Sequence, residues 1–288
     1  MQSFGTSNRR GHDSSRFYRR RMFVDNKTLR PTIDRHQAPE EEDARNLACI
    51  NRIYTHSAVD MHHLPDNSIH LMVTSPPYNV GKDYDEDLTE NEYADLLLAV
   101  WQEVHRVLVP GGRACINIAN IGRKPYLSLS SMIVGQMCDL GYLMRGEIIW
   151  EKGASAGASC AWGSWKSPSN PVLRDTHEYI LVFSKGDYRR QGKGKVATIT
   201  RDEFLEYTKS VWSFSAESAR RVNHPAPFPV ELPRRLIQLY SYEKDIVLDP
   251  FMGSGTTALA ALNCGRYYVG YEIDSVYVRR AKDRIGKD

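Results

Sequence analysis

The chain has 288 residues, of which 41% are hydrophobic and 25% charged, and its formal net charge is +3. This length fits one large α/β domain or a domain with a modest appendage, and so small a charge does not by itself indicate a nucleic-acid partner. The five cysteines form no C-x-x-C pair, so neither a disulfide framework nor a zinc knuckle is indicated, and we expect a reducing, cytoplasmic setting. No apolar run reaches membrane-spanning length and no secretory segment is visible near Met1, so we expect no membrane partner.

The first 46 residues differ in composition from the rest of the chain. Nine lysines and arginines lie between Met1 and His36, opposed by three aspartates, and an acidic run, Glu40–Asp43, follows. This composition predicts a basic, disordered tail over residues 1–46. A basic arm that contacts phosphates and an organelle transit peptide are alternative interpretations of the same residues. The folded domain is expected to cover residues 47–288.

From residue 47 onward, apolar runs alternate with segments of helical periodicity. The predicted strands are 69–73, 114–118, 147–150, 179–183, 246–249 and 267–272. The predicted helices are 92–108, 128–140, 229–242 and 256–263. In the first of these helices Tyr93, Leu97 and Trp101 recur at four-residue steps, which gives one apolar face. Strands that alternate with helices predict an α/β fold with a largely parallel sheet and helices on both of its faces.

A proline-rich corner, Ser75-Pro76-Pro77-Tyr78, follows the first of these strands. The two prolines hold φ at about −65° and remove two backbone donors. The residue before each proline is pushed toward extended geometry. The sequence therefore predicts a stiff, non-helical corner that presents carbonyl oxygens, a hydroxyl and an aromatic ring. Taken alone, the same residues are also consistent with a plain turn.

A glycine turn follows the predicted strand that ends at Asp249. Gly253 and Gly255 precede a helix, and the next strand ends at Glu272. Glycines let a ligand approach the backbone, and an acid about 20 residues later is placed to accept hydrogen bonds from ribose hydroxyls. The turn is shorter than G-x-G-x-x-G and lacks a Gly-Lys-Ser/Thr ending, which disfavours a dinucleotide and excludes a standard phosphate loop. A nucleoside without phosphates, such as S-adenosylmethionine, fits better, although an ordinary strand-turn-helix is an alternative for the turn alone.

Together, "TSPPYN" and "DPFMGSGTT" resemble the DNA amino-methyltransferases, which methylate the exocyclic amine of adenine or cytosine. The proline corner precedes the glycine turn, and this permuted order resembles the β group of restriction-modification methyltransferases and argues against glutamine- and RNA-modifying enzymes. The resemblance covers about residues 47–285 and extends to four further segments: "VHRVLVPGG", "IIWEKG", "HEYILVFSK" and "NHPAPFPVEL". It implies the S-adenosylmethionine-dependent methyltransferase fold, α/β and doubly wound around a mostly parallel seven-stranded sheet, with a circularly permuted motif order.

The resemblance also implies which residues form the active site. Ser75 Oγ and the Pro76 carbonyl would accept the two N–H groups of the target amine and free its lone pair, with Pro77 fixing the corner. Tyr78 would stack on a base flipped out of the duplex. The residues expected to bind S-adenosyl-L-methionine are Asp249, Phe251, Gly253, Gly255, Thr256, Glu272, His224, Pro225 and Phe228. A capping or core histidine is the alternative interpretation of His224. No metal is expected.

The target base is predicted from the first position of the proline corner. Methylation at cytosine C5 would need a cysteine nucleophile after a proline, and no cysteine in the chain follows a proline. In the family that the chain resembles, this position is mostly Ser in cytosine-N4 enzymes and mostly Asp in adenine-N6 enzymes, so Ser75 favours cytosine N4. An adenine-N6 enzyme and a catalytically silent DNA-binding relative are the alternatives, and motif order disfavours an RNA substrate.

Target recognition is expected from two insertions, at residues 152–176 and 186–210. Their candidate DNA-contacting residues are Arg174, Arg189, Arg190, Lys193 and Lys195, for each of which a solvated basic loop is the alternative. Trp162 and Trp165 are candidates for a wedge or for loop packing. The expected partners are double-stranded DNA and a cognate restriction endonuclease, for a monomer or weak homodimer associated with the nucleoid.

Overall fold

The computed structural model describes residues 19–20, 47–78, 88–122, 124–153, 163–216 and 228–286. The basic tail predicted for residues 1–46 therefore lies outside the described residues, apart from Arg19 and Arg20. Residues 1–38 and 39–288 form separate units, and the strands and helices of the fold belong to the second of them. Among the helices that the structure describes, none is both long and apolar enough to cross a bilayer.

The second unit is built on an eight-stranded sheet with the spatial order β1-β10-β9-β2-β3-β7-β6-β8. The strands of this sheet are β1 Arg52–Tyr54, β2 Ile69–Thr74, β3 Leu108–Ile118, β6 Tyr142–Glu151, β7 His177–Lys185, β8 Val211–Ser213, β9 Ile246–Asp249 and β10 Tyr267–Tyr271. A two-stranded sheet pairs β4 Ile121–Gly122 with β5 Tyr126–Leu127. Every neighbouring pair in the large sheet is parallel except the two pairs that involve β7. The predicted largely parallel sheet is confirmed, but it has eight strands rather than seven, and the two edge strands are only three residues long.

Helices connect the strands and cover both faces of the sheet. Their bounds are α1 Glu90–Val107, α2 Leu129–Asp139, α3 Arg201–Tyr207, α4 Glu231–Tyr240, α5 Thr256–Asn263 and α6 Ser275–Ile285. The first helix begins in a capping box, in which Thr89 and Glu92 satisfy each other's backbone N–H groups. Its predicted apolar face is confirmed, since Tyr93, Leu97 and Trp101 are all buried. The sequence prediction missed α3 and α6.

Alternating side chains of the central strand β2 feed two hydrophobic cores. Met72 belongs to the core that α1 and α2 cover, together with Leu97 and Ile133. Leu71 and Val73 belong to the core that α4 and α5 cover. A strand that is buried on both faces reads as a continuous apolar run, which is why the sequence shows no polar alternation here. Burial on both faces fixes the register of β2 against its neighbours.

The parallel strands end at one edge of the sheet, which we call the carboxyl edge. Thr74, Asp249 and Tyr271 are the last residues of β2, β9 and β10 and define this edge. The antiparallel strand β7 begins there, where Tyr179 pairs with Ile118 of β3. It ends at the opposite edge with Lys185, whose ammonium group donates to the carbonyl of Leu108, the first residue of β3, at 2.6 Å. Loops that precede β7 and loops that follow it therefore lie at different edges.

The buried guanidinium of Arg266 joins three connections on the side of the sheet covered by α4 and α5. Its Nη2 donates to Ser241 O at 2.7 Å, its Nη1 to Thr198 Oγ1 at 2.6 Å, and Nη1 also donates to Cys264 O. Arg266 is 1% exposed, and burial lowers the pKa of its guanidinium. Buried carbonyl groups that lose a donor cost free energy, so this residue stabilises the ends of α4 and α5.

We expect Arg266→Met to lower the free energy of unfolding by about 3 kcal/mol, because it leaves buried carbonyl oxygens without a donor. For a domain of this size the melting temperature should fall by roughly 6–12 °C. Arg279→Met, on the exposed face of α6, is the matched control and should leave the melting temperature unchanged. Equal melting curves for both variants, measured by circular dichroism, would contradict the role given to Arg266.

Candidate active site

The two sequence motifs meet at the carboxyl edge, where β2 and β9 are neighbours. Met72 of β2 pairs with Leu248 of β9, so the two strands end side by side. The Thr74 hydroxyl donates to Asp249 Oδ1 at 2.6 Å, a buried hydrogen bond between residues 175 positions apart. The proline corner begins directly after Thr74, and the glycine turn follows Asp249. The structure therefore brings together the segments that the sequence separates.

The carboxylate of Asp249 is buried and shared between the two motifs. It accepts from the Thr74 hydroxyl and, at 3.1 Å, from the backbone N–H of Phe251. Burial raises the pKa of Asp249 to about 6, with these hydrogen bonds acting in the opposite direction and the Glu272 carboxylate adding to the rise. At neutral pH the group is ionised, so it holds both donors by charge-assisted hydrogen bonds.

Hydrogen bonds hold the proline corner from two sides. The Tyr93 hydroxyl of α1 donates to the Pro77 carbonyl at 2.7 Å. Inside the corner, Ser75 Oγ lies 3.2 Å from the Tyr78 hydroxyl. Pro76 is buried, whereas Ser75 and Tyr78 are half-buried. The corner is thus rigid in its backbone and presents its hydroxyl groups at the carboxyl edge.

A buried polar cluster that sequence analysis missed lies against this corner. Glu178, the second residue of β7, accepts from the Tyr78 hydroxyl at 3.2 Å and from Asn117 Nδ2 at 2.5 Å, both through Oε2. Its other carboxylate oxygen forms an ion pair with Lys152. Asn117 Nδ2 also lies 3.4 Å from Ser75 Oγ. One signal was available, because Asn117 is the only polar side chain in the apolar run of β3 from 114 to 118.

The glycine turn is held by the acid that follows it in sequence. Glu272 Oε2 accepts from the backbone N–H of Gly253 at 2.8 Å, and Oε1 accepts from that of Asp274 at 2.9 Å. Burial raises the pKa of Glu272, while these two backbone donors lower it. Gly255 has φ +79°, and a Cβ there would lie 3.0 Å from Ala281 Cβ of α6. The turn therefore needs glycine for both its conformation and its contact with α6.

Of the remaining residues predicted to bind the nucleoside, the structure describes Phe251, Thr256 and Phe228. Phe251 packs edge-on against Trp101, with ring centroids 6.3 Å apart. Thr256 opens α5, and its hydroxyl accepts from Arg284 Nη1 at 2.9 Å. Phe228 packs against the core on the α4 and α5 side. The predicted residues His224 and Pro225 lie outside the described residues.

The first predicted recognition insertion leaves the carboxyl edge between β6 and β7. Arg174 is exposed in its described part, residues 163–176. Trp165 in the same part is 65% exposed, so it does not pack into the core. Trp162 lies outside the described residues. The described part of this insertion, which leads into β7, is therefore on the same edge of the sheet as the proline corner.

The second predicted insertion follows β7 and lies at the opposite edge. Arg190 forms a buried ion pair with Asp245, at 2.6 Å between Nη1 and Oδ2, and Lys195 Nζ lies 3.8 Å from the same carboxylate. Asp245 precedes β9, so it marks the amino ends of the parallel strands. Arg189 and Lys193 are exposed in the same loop. The nine-residue length of β7, about 30 Å at 3.4 Å per residue, separates these four basic residues from the corner.

A small histidine cluster lies on the surface after β1. His56, Asp60 and His62 each offer a ligand atom within 4.8 Å of the others. Asp60 Oδ2 lies 2.8 Å from His62 Nδ1 and 3.5 Å from His56 Nε2. Hydrogen bonding to His62 is the main cause of a lowered pKa of Asp60. These hydrogen bonds account for the cluster without an ion, and the expectation of no metal stays a prediction.

Comparison with known proteins identifies the family of the chain. A family model described as DNA methylase, N6_N4_Mtase, matches residues 69–283. The Type II methyltransferase M.MthZI of Methanothermobacter thermautotrophicus is 33% identical over 277 residues, covering 84% of this chain and 78% of the relative. M.MjaI of Methanocaldococcus jannaschii, also a Type II methyltransferase, is 32% identical over 285 residues, covering 84% of this chain and 93% of the relative.

Solved structures agree with the sequence comparison. A protein of Thermus thermophilus, described as a DNA modification methylase and complexed with S-adenosyl-L-methionine, superposes with a TM-score of 0.67 and 30% identity. The match covers 82% of this chain and 93% of that chain. The resemblance inferred from the two motifs is therefore confirmed, and the chain belongs to the N6/N4 family of DNA methylases.

Proposed function

We propose that this protein transfers a methyl group from S-adenosyl-L-methionine to the exocyclic N4 amine of a cytosine flipped out of duplex DNA. As a member of its family it is a DNA methyltransferase that acts on an exocyclic amine. The observation that carries methyl transfer at this site is the Thr74–Asp249 hydrogen bond, which sets the proline corner beside the glycine turn. A methyl donor held at the turn and an amine held at the corner would be neighbours.

The residues around the glycine turn fit the nucleoside part of S-adenosyl-L-methionine, which supplies the methyl group on a positively charged sulfonium. Each carboxylate oxygen of Glu272 accepts one backbone N–H and keeps a lone pair for a ribose hydroxyl. Phe251 offers an apolar ring to the base. Asp249 and Glu272 are two acids at one site, and their charge favours a cationic ligand. Gly253 and Gly255 would allow the backbone to approach it.

The proline corner supplies acceptors for the target amine. The lone pair of an exocyclic amine is delocalised into the ring, so the amine is a poor nucleophile until its two N–H groups are engaged. Ser75 Oγ and the Pro76 carbonyl are the proposed acceptors, as in the family that the chain belongs to, and the Tyr93 hydroxyl holds the next carbonyl, that of Pro77. The prolines fix these acceptors before the base arrives, and such preorganisation is a large part of enzymatic rate enhancement.

Cytosine N4 is proposed over adenine N6 because Ser stands at the first position of the corner. This assignment rests on the pattern of the family, in which Ser accompanies cytosine N4 and Asp accompanies adenine N6. The alternative of a catalytically silent relative is disfavoured, because Ser75, Tyr78 and Glu272 are all present and in contact with other groups of the site.

The biological setting is proposed from the relatives and from the surface. The two curated relatives are Type II methyltransferases, so we propose the protective half of a restriction-modification system, with a cognate endonuclease as functional partner. Arg174 and residues 163–176 lie at the carboxyl edge and are proposed to contact DNA as the base enters. The basic residues beyond β7 lie at the other edge and are left out of this role. We expect a monomer or weak homodimer associated with the nucleoid.

The product assay tests this function directly. Unmethylated genomic DNA is incubated with the protein and labelled S-adenosyl-L-methionine, digested to nucleosides and analysed by mass spectrometry. We expect N4-methylcytosine, and none with Ser75→Ala. N6-methyladenine would establish the adenine alternative. Absence of product from a protein that binds S-adenosyl-L-methionine in calorimetry would favour the silent relative.

Tyr78→Ala should lower turnover far more than cofactor affinity. Loss of stacking on the flipped base costs about 1–3 kcal/mol, or roughly 5- to 150-fold in rate. The dissociation constant for S-adenosyl-L-methionine, measured by calorimetry, should change by less than about threefold. Tyr188→Ala, an exposed tyrosine beyond β7, is the matched control. Equal losses in turnover and cofactor affinity would remove Tyr78 from the base site.

Glu272→Ala should show the reverse pattern. Two charge-assisted hydrogen bonds to the ribose would be lost, so the dissociation constant should rise by about a hundredfold or more, at roughly 1.5–3 kcal/mol for each bond. Turnover at saturating S-adenosyl-L-methionine should fall less. The control is Glu243→Ala, an exposed acid before β9. An unchanged dissociation constant would show that Glu272 does not contact the cofactor.

A further inference from the structure

A chain of hydrogen-bonding groups runs from the proline corner to a buried carboxylate. Ser75 Oγ lies 3.2 Å from the Tyr78 hydroxyl, which lies 3.2 Å from Glu178 Oε2. Glu178 is 8% exposed and pairs through its other oxygen with the ammonium group of Lys152, as an ionised carboxylate does. Methyl transfer as proposed above uses Ser75 and Tyr78 and gives Glu178 no role, although it costs free energy to bury such a charge.

The hydrogen bonds in this series of groups run in one direction, because the Glu178 carboxylate at its end has no proton to donate. An ionised carboxylate only accepts, so the single phenol proton of Tyr78 is donated to Glu178. Burial, followed by the Glu178 charge, raises the pKa of Tyr78 well above its ordinary value, so the phenol keeps this proton. With that proton engaged, the Tyr78 oxygen can only accept from Ser75. The Ser75 hydroxyl proton therefore points at Tyr78 and away from the other side of the oxygen.

We infer that Glu178 is a positioning residue for methyl transfer, which acts through Tyr78 to leave a lone pair of Ser75 Oγ directed toward the N–H group of the target amine. The inference rests on the proposed function. A serine hydroxyl is both donor and acceptor, and its proton rotates to suit its neighbours. Without the fixed direction, part of the population would present the Ser75 proton to an N–H group, which cannot accept it.

The Glu178 carboxylate also determines the orientation of the Asn117 side-chain amide. Its Nδ2 donates to Glu178 Oε2 at 2.5 Å and to one lone pair of Ser75 Oγ at 3.4 Å. Its Oδ1 is buried and has no hydrogen-bond partner among the residues that the structure describes. The reverse amide orientation would set this oxygen against the Glu178 carboxylate, so the network assigns the amide as written. One carboxylate thus orders both the phenol and the amide beside Ser75.

The direct test is Glu178→Gln, assayed on duplex DNA by steady-state kinetics. Glutamine keeps the size of the side chain but can donate as well as accept, so the direction of the chain is lost. We expect kcat to fall by about tenfold, the equivalent of one ordered hydrogen bond, with KM and Kd for S-adenosyl-L-methionine changed by less than about twofold. Glu147→Gln, an exposed acid on the neighbouring strand β6, is the control and should retain full activity.

A double-mutant cycle separates this role from simple structural support. Tyr78→Phe keeps the ring for stacking and removes only the hydroxyl, so it should lower kcat by a similar factor. The double variant should be no slower than Tyr78→Phe alone, because both changes break the same chain. Multiplying effects, or full kcat in either single variant, would overturn the inference. Should Glu178→Gln fail to fold, as judged by its melting curve, the kcat of Tyr78→Phe decides alone.

Different results would contradict the proposed function and the role of Glu178. Wild-type protein that transfers no methyl group would contradict the proposed function, and the role of Glu178 with it. Active wild-type protein with an equally active Glu178→Gln variant would contradict the role of Glu178 alone. Product identity, whether N4-methylcytosine or N6-methyladenine, does not enter this test, because both targets present an amine with two N–H groups.

Discussion

One buried hydrogen bond, from Thr74 to Asp249, is the constraint on which the site depends. It joins the ends of two adjacent strands whose residues are 175 positions apart in the chain. Because both partners are buried at the end of their strands, the bond fixes where the proline corner starts relative to the glycine turn. A shift of β2 by one residue would exchange its two hydrophobic faces and break this bond as well. The packing of the two cores and the alignment of the site are therefore enforced together.

The parts of the molecule that depend on local pattern could be predicted from the sequence. The amphipathic face of α1 and the main strands follow from periodicity, and the corner and the turn from proline and glycine chemistry. Glu178 and Lys152 lay in segments that carried the family resemblance, yet their roles were missed. Glu178 meets Tyr78 only because β7 pairs with β3, which brings together residues 100 positions apart. Periodicity predicts that a strand exists, but not which strands are its neighbours.

Charge composition likewise did not predict where the basic residues lie in the fold. The basic loop after β7 was expected to contact DNA, which stays a prediction, and it lies at the edge opposite the proline corner because β7 is the antiparallel strand of the sheet. An apolar run reads the same in either direction, so the sequence could not show which end of β7 faces the proline corner. At that far edge Arg190 is engaged by Asp245. Only the tertiary contact distinguishes a cation that holds the fold from one that faces a ligand.

The pairing of β1 with β10 has a consequence for how such an enzyme is encoded. The strand that opens the sheet in sequence lies directly beside the strand that closes it, in parallel register from Arg52 with Val269 to Tyr54 with Tyr271. A short connection from α6 back to β1 would turn the domain into a ring, and that ring could be cut between other elements without moving any strand. The order of the elements along the chain is thus independent of the geometry of the site, so selection on the pocket does not determine where the ring is cut.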